Sequence, residues 1–146
     1  PEMILGGRRI NDGMGSYIVS QLIKKMINKK IEVSGSKVLI MGLTFKENCP
    51  DIRNTKVIDI VDELKAYEVD VDIIDPWCDP VEAANEYGLV VSKAAEEGVY
   101  GAVLVAVAHD EFKEMGVKAI RKFGRPTHIL YDLKYVLPKD DVDIRL

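Results

Sequence analysis

The sequence predicts an α/β fold: a doubly wound, five-stranded parallel sheet preceded by a long N-terminal helix. Three observations carry that expectation. Short uninterrupted apolar runs recur along the chain, helical patterns alternate with them, and one long apolar stripe of helical spacing precedes the first run. Parallel strands covered on both faces read as unbroken apolar runs, because neither side of the sheet meets water.

In the stripe, Met14, Ile18, Leu22 and Met26 recur at helical spacing from Ile10 onward, and Val19, Ile23 and Ile27 widen it to nearly half the circumference. So wide a face predicts partners on two sides, a partner helix among them. Gly6, Gly7, Gly13 and Gly15 weaken this helix by roughly 1 kcal/mol each relative to alanine, so packing has to hold it, and small residues let another backbone approach. Residues 1–33 are assigned to this helix, which ends at the linker "EVSGSK", and residues 34–146 to the sheet domain.

Within the domain the apolar runs fall at 37–41, 69–74, 89–91, 102–107 and 128–132. Helical patterns fall at 55–67, 80–87, 92–97 and 110–123, with Asn54 as the expected N-cap of the first. Right-handed crossovers then give the Rossmann-like order 3-2-1-4-5, with a crevice beyond the carboxyl ends of strands 1 and 4.

The 146 residues, 47% of them hydrophobic, suffice for a full core, which argues against disorder. A net charge of −4 argues against general nucleic-acid binding, and the locally basic stretch from Lys24 to Lys30 reads as a solvated helix face. Cys49, Cys78 and two histidines give neither a metal spacing nor a disulfide framework, which favours a reducing cytoplasm. No apolar run approaches the roughly 20 residues of a membrane span. The opening Pro-Glu-Met-Ile-Leu, without an initiator methionine, reads as part of a longer protein.

The turn after the first run, "MGLTFKENCPDIRNTK" at 41–56, is about three times longer than an ordinary strand-to-helix loop and has one glycine where a GxGxxG loop has three. It places Lys46 and Arg53 beside a helix N-terminus, whose free N–H groups already suit an anion. Lysine offers a mobile point charge and arginine a planar fork, while Phe45 offers a ring for a base or ribose. The competing reading pairs Lys46 and Arg53 with Glu47 and Asp51 on the surface. Cys49 lies in a cationic turn that favours thiolate, but no histidine base is near it in sequence, and Cys78 reads as structural. Asp75 is read as a turn starter in preference to a ribose-binding carboxylate. His109 stands either at the ligand or as a helix cap, and Arg8, Arg9, Asn11 and Asp12 either make a subunit contact or face solvent.

The string "GLTFKENCPDIRNTK" resembles the C-terminal domain of the nucleotide-sugar dehydrogenase family, the UDP-glucose and GDP-mannose dehydrogenases, whose pattern is G-x-x-F-K-x-x-x-x-D-x-R. "GRRINDGM" at 7–14 is similar to the start of that family's central helix. "IIDP" at 73–76, "AVAHDEF" at 106–112 and "YDLK" at 131–134 are similar to its later strand ends, and the whole looks most like the dehydrogenases of N-acetylated UDP-hexosamines.

The resemblance implies oxidation of a sugar C6 alcohol to the carboxylate with NAD as acceptor, through a cysteine in a G-G-x-C-x-P string. Neither that string nor GxGxxG occurs here, so no catalytic residue is assigned and the chain alone is expected to be inactive. The resemblance also implies that Phe45 and Lys46 contact the sugar nucleotide and that Arg53 reaches the NAD pyrophosphate across an interdomain cleft. Lys134 stands where the UDP-glucose branch has a nucleotide-touching arginine, so it keeps the charge without the fork. An N-terminal NAD-binding domain and a homodimer through the N-terminal helix are the implied partners. The alternative is a free-standing ligand-binding module with an oligomerisation helix. A phosphoacceptor receiver domain is disfavoured, since the acidic pair expected after strand 1 is absent.

Overall fold

A computed structural model describes residues 13–146 of the chain. Helix α1 (Met14–Asn28) leads to β1 (Lys37–Met41), α2 (Val57–Ala66), β2 (Asp70–Ile74), α3 (Pro80–Tyr87) and β3 (Val91–Ser92). Then come β4 (Tyr100–Val105), α4 (Asp110–Arg121), β5 (Gly124–Asp132), a 3₁₀ turn (Lys139–Asp141) and β6 (Ile144–Arg145). The sheet runs β3-β2-β1-β4-β5-β6, with every pair parallel. Its first five strands have the expected order.

Alternation along β1 shows how the sheet is covered. Val38 and Ile40 pack on one side with α1, α2 and α3, while Leu39 and Met41 pack on the other with Phe112 and Ile120 of α4. All four are fully buried, so both faces of this central strand are dry.

Three expectations are corrected. A sixth strand, too short to show any period, pairs with β5 through Tyr131 with Ile144 and Asp132 with Arg145. It is tied down by Asp143, whose carboxylate accepts from the Leu130 amide at 2.8 Å, Lys29 Nζ at 3.0 Å and Arg121 Nη1 at 3.2 Å. Residues 92–97 form no helix: the stretch runs on to Gly98, whose amide donates to the Lys122 carbonyl at 2.9 Å and ties the loop to the far end of α4. Asn54 does not cap α2. It stands at φ +60°, and Thr55 Oγ1 accepts from the Val57 amide instead, because the chain turns there to bury Ile52.

The apolar stripe finds its two-sided packing, a helix included, within the chain. Ile18, Val19, Leu22, Ile23 and Met26 pack against α2 and the sheet of the same chain, in a single core with Ile60, Val61 and Leu64. Gly15 permits that approach, since a Cβ there would lie 2.7 Å from Asp59 Cβ. Of the large apolar side chains on α1, Met14, Tyr17 and Ile27 are exposed. Arg8, Arg9, Asn11, Asp12 and the start of the expected helix lie outside the described residues.

Candidate functional site

The site grows from the carboxyl end of β1. Gly42, at φ +106°, presses against Val107 so closely that a Cβ would lie 2.6 Å from the valine Cβ. The chain then leaves the sheet, and Asp75, at the end of β2, catches it: its Oδ2 accepts from the Leu43 and Thr44 amides at 2.7 and 3.2 Å. Its Oδ1 accepts from the Trp77 and Cys78 amides at 2.7 and 3.0 Å, so Asp75 is the expected turn former and also the anchor of the neighbouring loop. Burial pushes this carboxyl up, but bonds from His109 and from the Leu43 and Trp77 amides outweigh burial and hold it below the ordinary value.

The loop is an ordered structure. The Phe45 amide donates to the Asp51 carbonyl at 2.7 Å, and Tyr87 Oη donates to the Ile52 carbonyl at 2.7 Å. Thr44 Oγ1 donates to the Lys46 carbonyl at 3.0 Å, and Asn48 Oδ1 accepts from the Asp110 amide at 3.0 Å, capping α4 from another part of the chain. His109 is fully buried and makes no side-chain cap. It stands at the N-cap position of α4 and caps with its backbone carbonyl, while its ring meets Asp75, Thr44 and Asn48.

Between the loops that follow β1, β4 and β5 lies a cleft of about 480 Å³. Phe45, Lys46 and Lys134 line it together, with Ala106–Ala108 and Leu133 behind them and Met14 and Ile18 of α1 at one side. Thr55, Lys56 and Val57 bring the N-terminus of α2 to the same space, so the positive end of that helix and three lysines share one cleft. Glu47 is the one acidic side chain among the described lining residues. Lys56 was not singled out from the sequence, where it reads as one more helix-start lysine. A second groove, of about 450 Å³ along β2 and β3, is lined by Asp70, Asp72 and Glu96 and so disfavours anions.

Arg53 does not line the cleft. Its side chain is 79% exposed and pairs with Asp51. Cys49 is half-buried on the loop, also outside the lining. Cys78 is 4% exposed, and burial, with the Asp75 carboxylate nearby, pushes its thiol up to about 11. Among the described residues no group of three His, Cys, Asp or Glu side chains is arranged to hold a metal ion, and no helix is long and apolar enough to cross a membrane.

Fold and cleft together define a doubly wound α/β domain with an anion-attracting crevice at its topological switch point. The family model described as "UDP-glucose/GDP-mannose dehydrogenase family, UDP binding domain" matches residues 39–139, and the chain belongs to that family. It is 56% identical over its whole length to a UDP-N-acetyl-D-glucosamine 6-dehydrogenase of Pseudomonas aeruginosa, of which it covers 35%. It is 57% identical to one of Salmonella typhi, covering 34%. The UDP-N-acetyl-mannosamine dehydrogenase of Staphylococcus aureus superposes with a TM-score of 0.73 at 27% identity, over 99% of this chain and 33% of that one. The chain thus spans about a third of the length of these relatives.

Proposed function

We propose that the chain is the C-terminal, substrate-binding portion of an NAD-dependent nucleotide-sugar 6-dehydrogenase, acting on a UDP-N-acetylhexosamine in the cytoplasm to make a uronate precursor of polysaccharide. The observation that supports this most is the convergence of Lys46, Lys56, Lys134 and the amino end of α2 on one cleft. A diphosphate needs several cations and free amides at once, and this arrangement offers them without a competing acidic cluster.

In this reading Lys134, Lys56 and the α2 amides hold the diphosphate. Phe45, 58% exposed at the rim, offers its ring to the sugar nucleotide, and Lys46 stands toward the reacting end of the sugar, where an ammonium stabilises charge developing on oxygen. NAD, when bound, supplies the hydride acceptor. The described residues fit only its edge: Arg53 is exposed, and among the described residues Asp51 engages its Nε and Nη2, which leaves Nη1 to meet a phosphate. The rest of the cofactor falls to an N-terminal domain. A homodimer would use the exposed Tyr17 and Ile27 of α1, since Ile18, Val19, Leu22, Ile23 and Met26 are consumed by the core.

Calorimetric titration of UDP into the chain tests the cleft. Saturable heat is expected, weakened about tenfold or more by Lys46→Ala or Lys134→Ala, since each removes a charge-assisted contact. No heat with any uridine or guanosine nucleotide overturns the assignment.

A further inference from the structure

One imidazole holds the Lys46 turn from both sides. The Asn48 amide donates to His109 Nδ1 at 3.0 Å, so the ring proton resides on Nε2. That nitrogen lies 3.0 Å from Asp75 Oδ2 and 3.1 Å from Thr44 Oγ1, and Thr44, whose hydroxyl proton goes to the Lys46 carbonyl, accepts there. The residues two before and two after Lys46 are therefore bonded to opposite nitrogens of the same ring.

The ring has little freedom of its own. It is fully buried, Trp77 stacks on it with centroids 6.3 Å apart, and Phe112 meets it edge-on at 5.4 Å. Asp75, 1% exposed, fixes the Nε2 side while also accepting from Leu43 and Thr44. Asn48 fixes the other side by capping α4. His109 contributes no atom to the cleft lining.

We propose that His109 is a positioning residue for Lys46, fixing the turn so that the ammonium enters the cleft at one place. This rests on the cleft reading given above. A lysine stem has four rotatable carbons, so its charge is localised only as well as its backbone is. Misplacement by about 1 Å is enough to lose most of an oriented contact. An apolar residue at 109 would fill the volume but leave the Asn48 amide and Asp75 Oδ2 short of a partner. Glutamine reaches one flank only, because its single amide cannot stand at both ring nitrogens. An imidazole does both.

The test is a double-mutant cycle with two readouts, using His109→Gln, Thr44→Val and Lys46→Ala. In the ligand-free chain, amide hydrogen exchange at residues 46–48 is expected to rise about tenfold or more in His109→Gln, with the amides of β1 and β4 unchanged. UDP affinity measured by calorimetry is expected to fall on the order of tenfold in His109→Gln and in Thr44→Val, and by no further factor when either is added to Lys46→Ala. Unchanged exchange at residues 46–48 overturns the proposal. So does an equal loss of affinity in the Lys46→Ala background, which would show His109 acting through general packing. If His109→Gln fails to fold, Thr44→Val, which deletes one hydroxyl, carries both readouts. A wild-type chain that binds no UDP sinks the cleft reading instead, and exchange alone then decides whether His109 fixes the turn.

Discussion

Arg53 grips Asp51 side-on, Nε to Oδ1 and Nη2 to Oδ2, both at 3.0 Å. The Arg53 amide also donates to Oδ1 at 2.9 Å, so the carboxylate fixes both the backbone and the fork of a residue that is otherwise in solvent.

The Asp51 carboxyl should titrate at about 2, held there by the Arg53 side chain first and its amide second. The folded value lies below the ordinary 3.8, so the pairing is fully present above that pH and is lost as pH falls through about 2. Carbon-13 NMR of the side-chain carboxyl reads it directly. A midpoint near 3.8 in the wild type contradicts the pairing, and Arg53→Ala should move the midpoint up toward 3.8 without reaching it, because the amide of residue 53 still donates to Oδ1.

Asp75→Asn should lower stability by about 3 kcal/mol at pH 7, because an amide cannot replace a buried carboxylate that accepts from four backbone amides and an imidazole. The Asp75 value is depressed on folding, so its contribution is present above the ordinary carboxylate pKa and fades as pH drops below it. Urea unfolding of both proteins at pH 7 and pH 3 should show the gap narrowing. An equal gap at both values refutes the charge argument.

Gly42→Ala should destabilise by about 3 kcal/mol or more, through its positive φ and the Val107 backbone nitrogen 2.9 Å from the added carbon. Gly98→Ala, also at positive φ but with nothing within 4 Å, should lose only about 1 kcal/mol. If chemical denaturation places the two variants together, steric contact at Val107 is not what selects glycine at 42.

At pH 8 a thiol reagent should modify Cys49 and spare Cys78 in the native chain. Cys78 is enclosed and its thiol is pushed up to about 11, so labelling requires local unfolding. Mass mapping after a timed pulse distinguishes the two, and equal labelling counts against the described burial.

Where local chemistry decided the outcome, the elements were legible. Helix α3 starts and stops where expected, because Asp79 accepts from the Val81 amide at 2.9 Å, Pro80 opens the helix, and Gly88 closes it in the left-handed region. β1 matches its apolar run residue for residue. The short β6, the missing helix at 92–97 and the start of α2 were not legible, because each depends on a distant partner: Asp132 and Tyr131 for β6, the Lys122 carbonyl for the loop, and the buried Ile52 for the displaced start.

The candidate site divides the same way. Glycine, lysines and a long turn after an apolar run already mark the carboxyl edge of a parallel sheet as the place for an anion, since strand period and helix polarity are local properties of the chain. That Lys134 joins Lys46 across the sheet, that Arg53 turns to Asp51, and that a histidine 61 residues from Asn48 clamps the intervening turn follow from folding alone. Hydrogen bonds and cleft walls between remote segments have no period to read. They exist only once burial has brought their partners within about 3 Å.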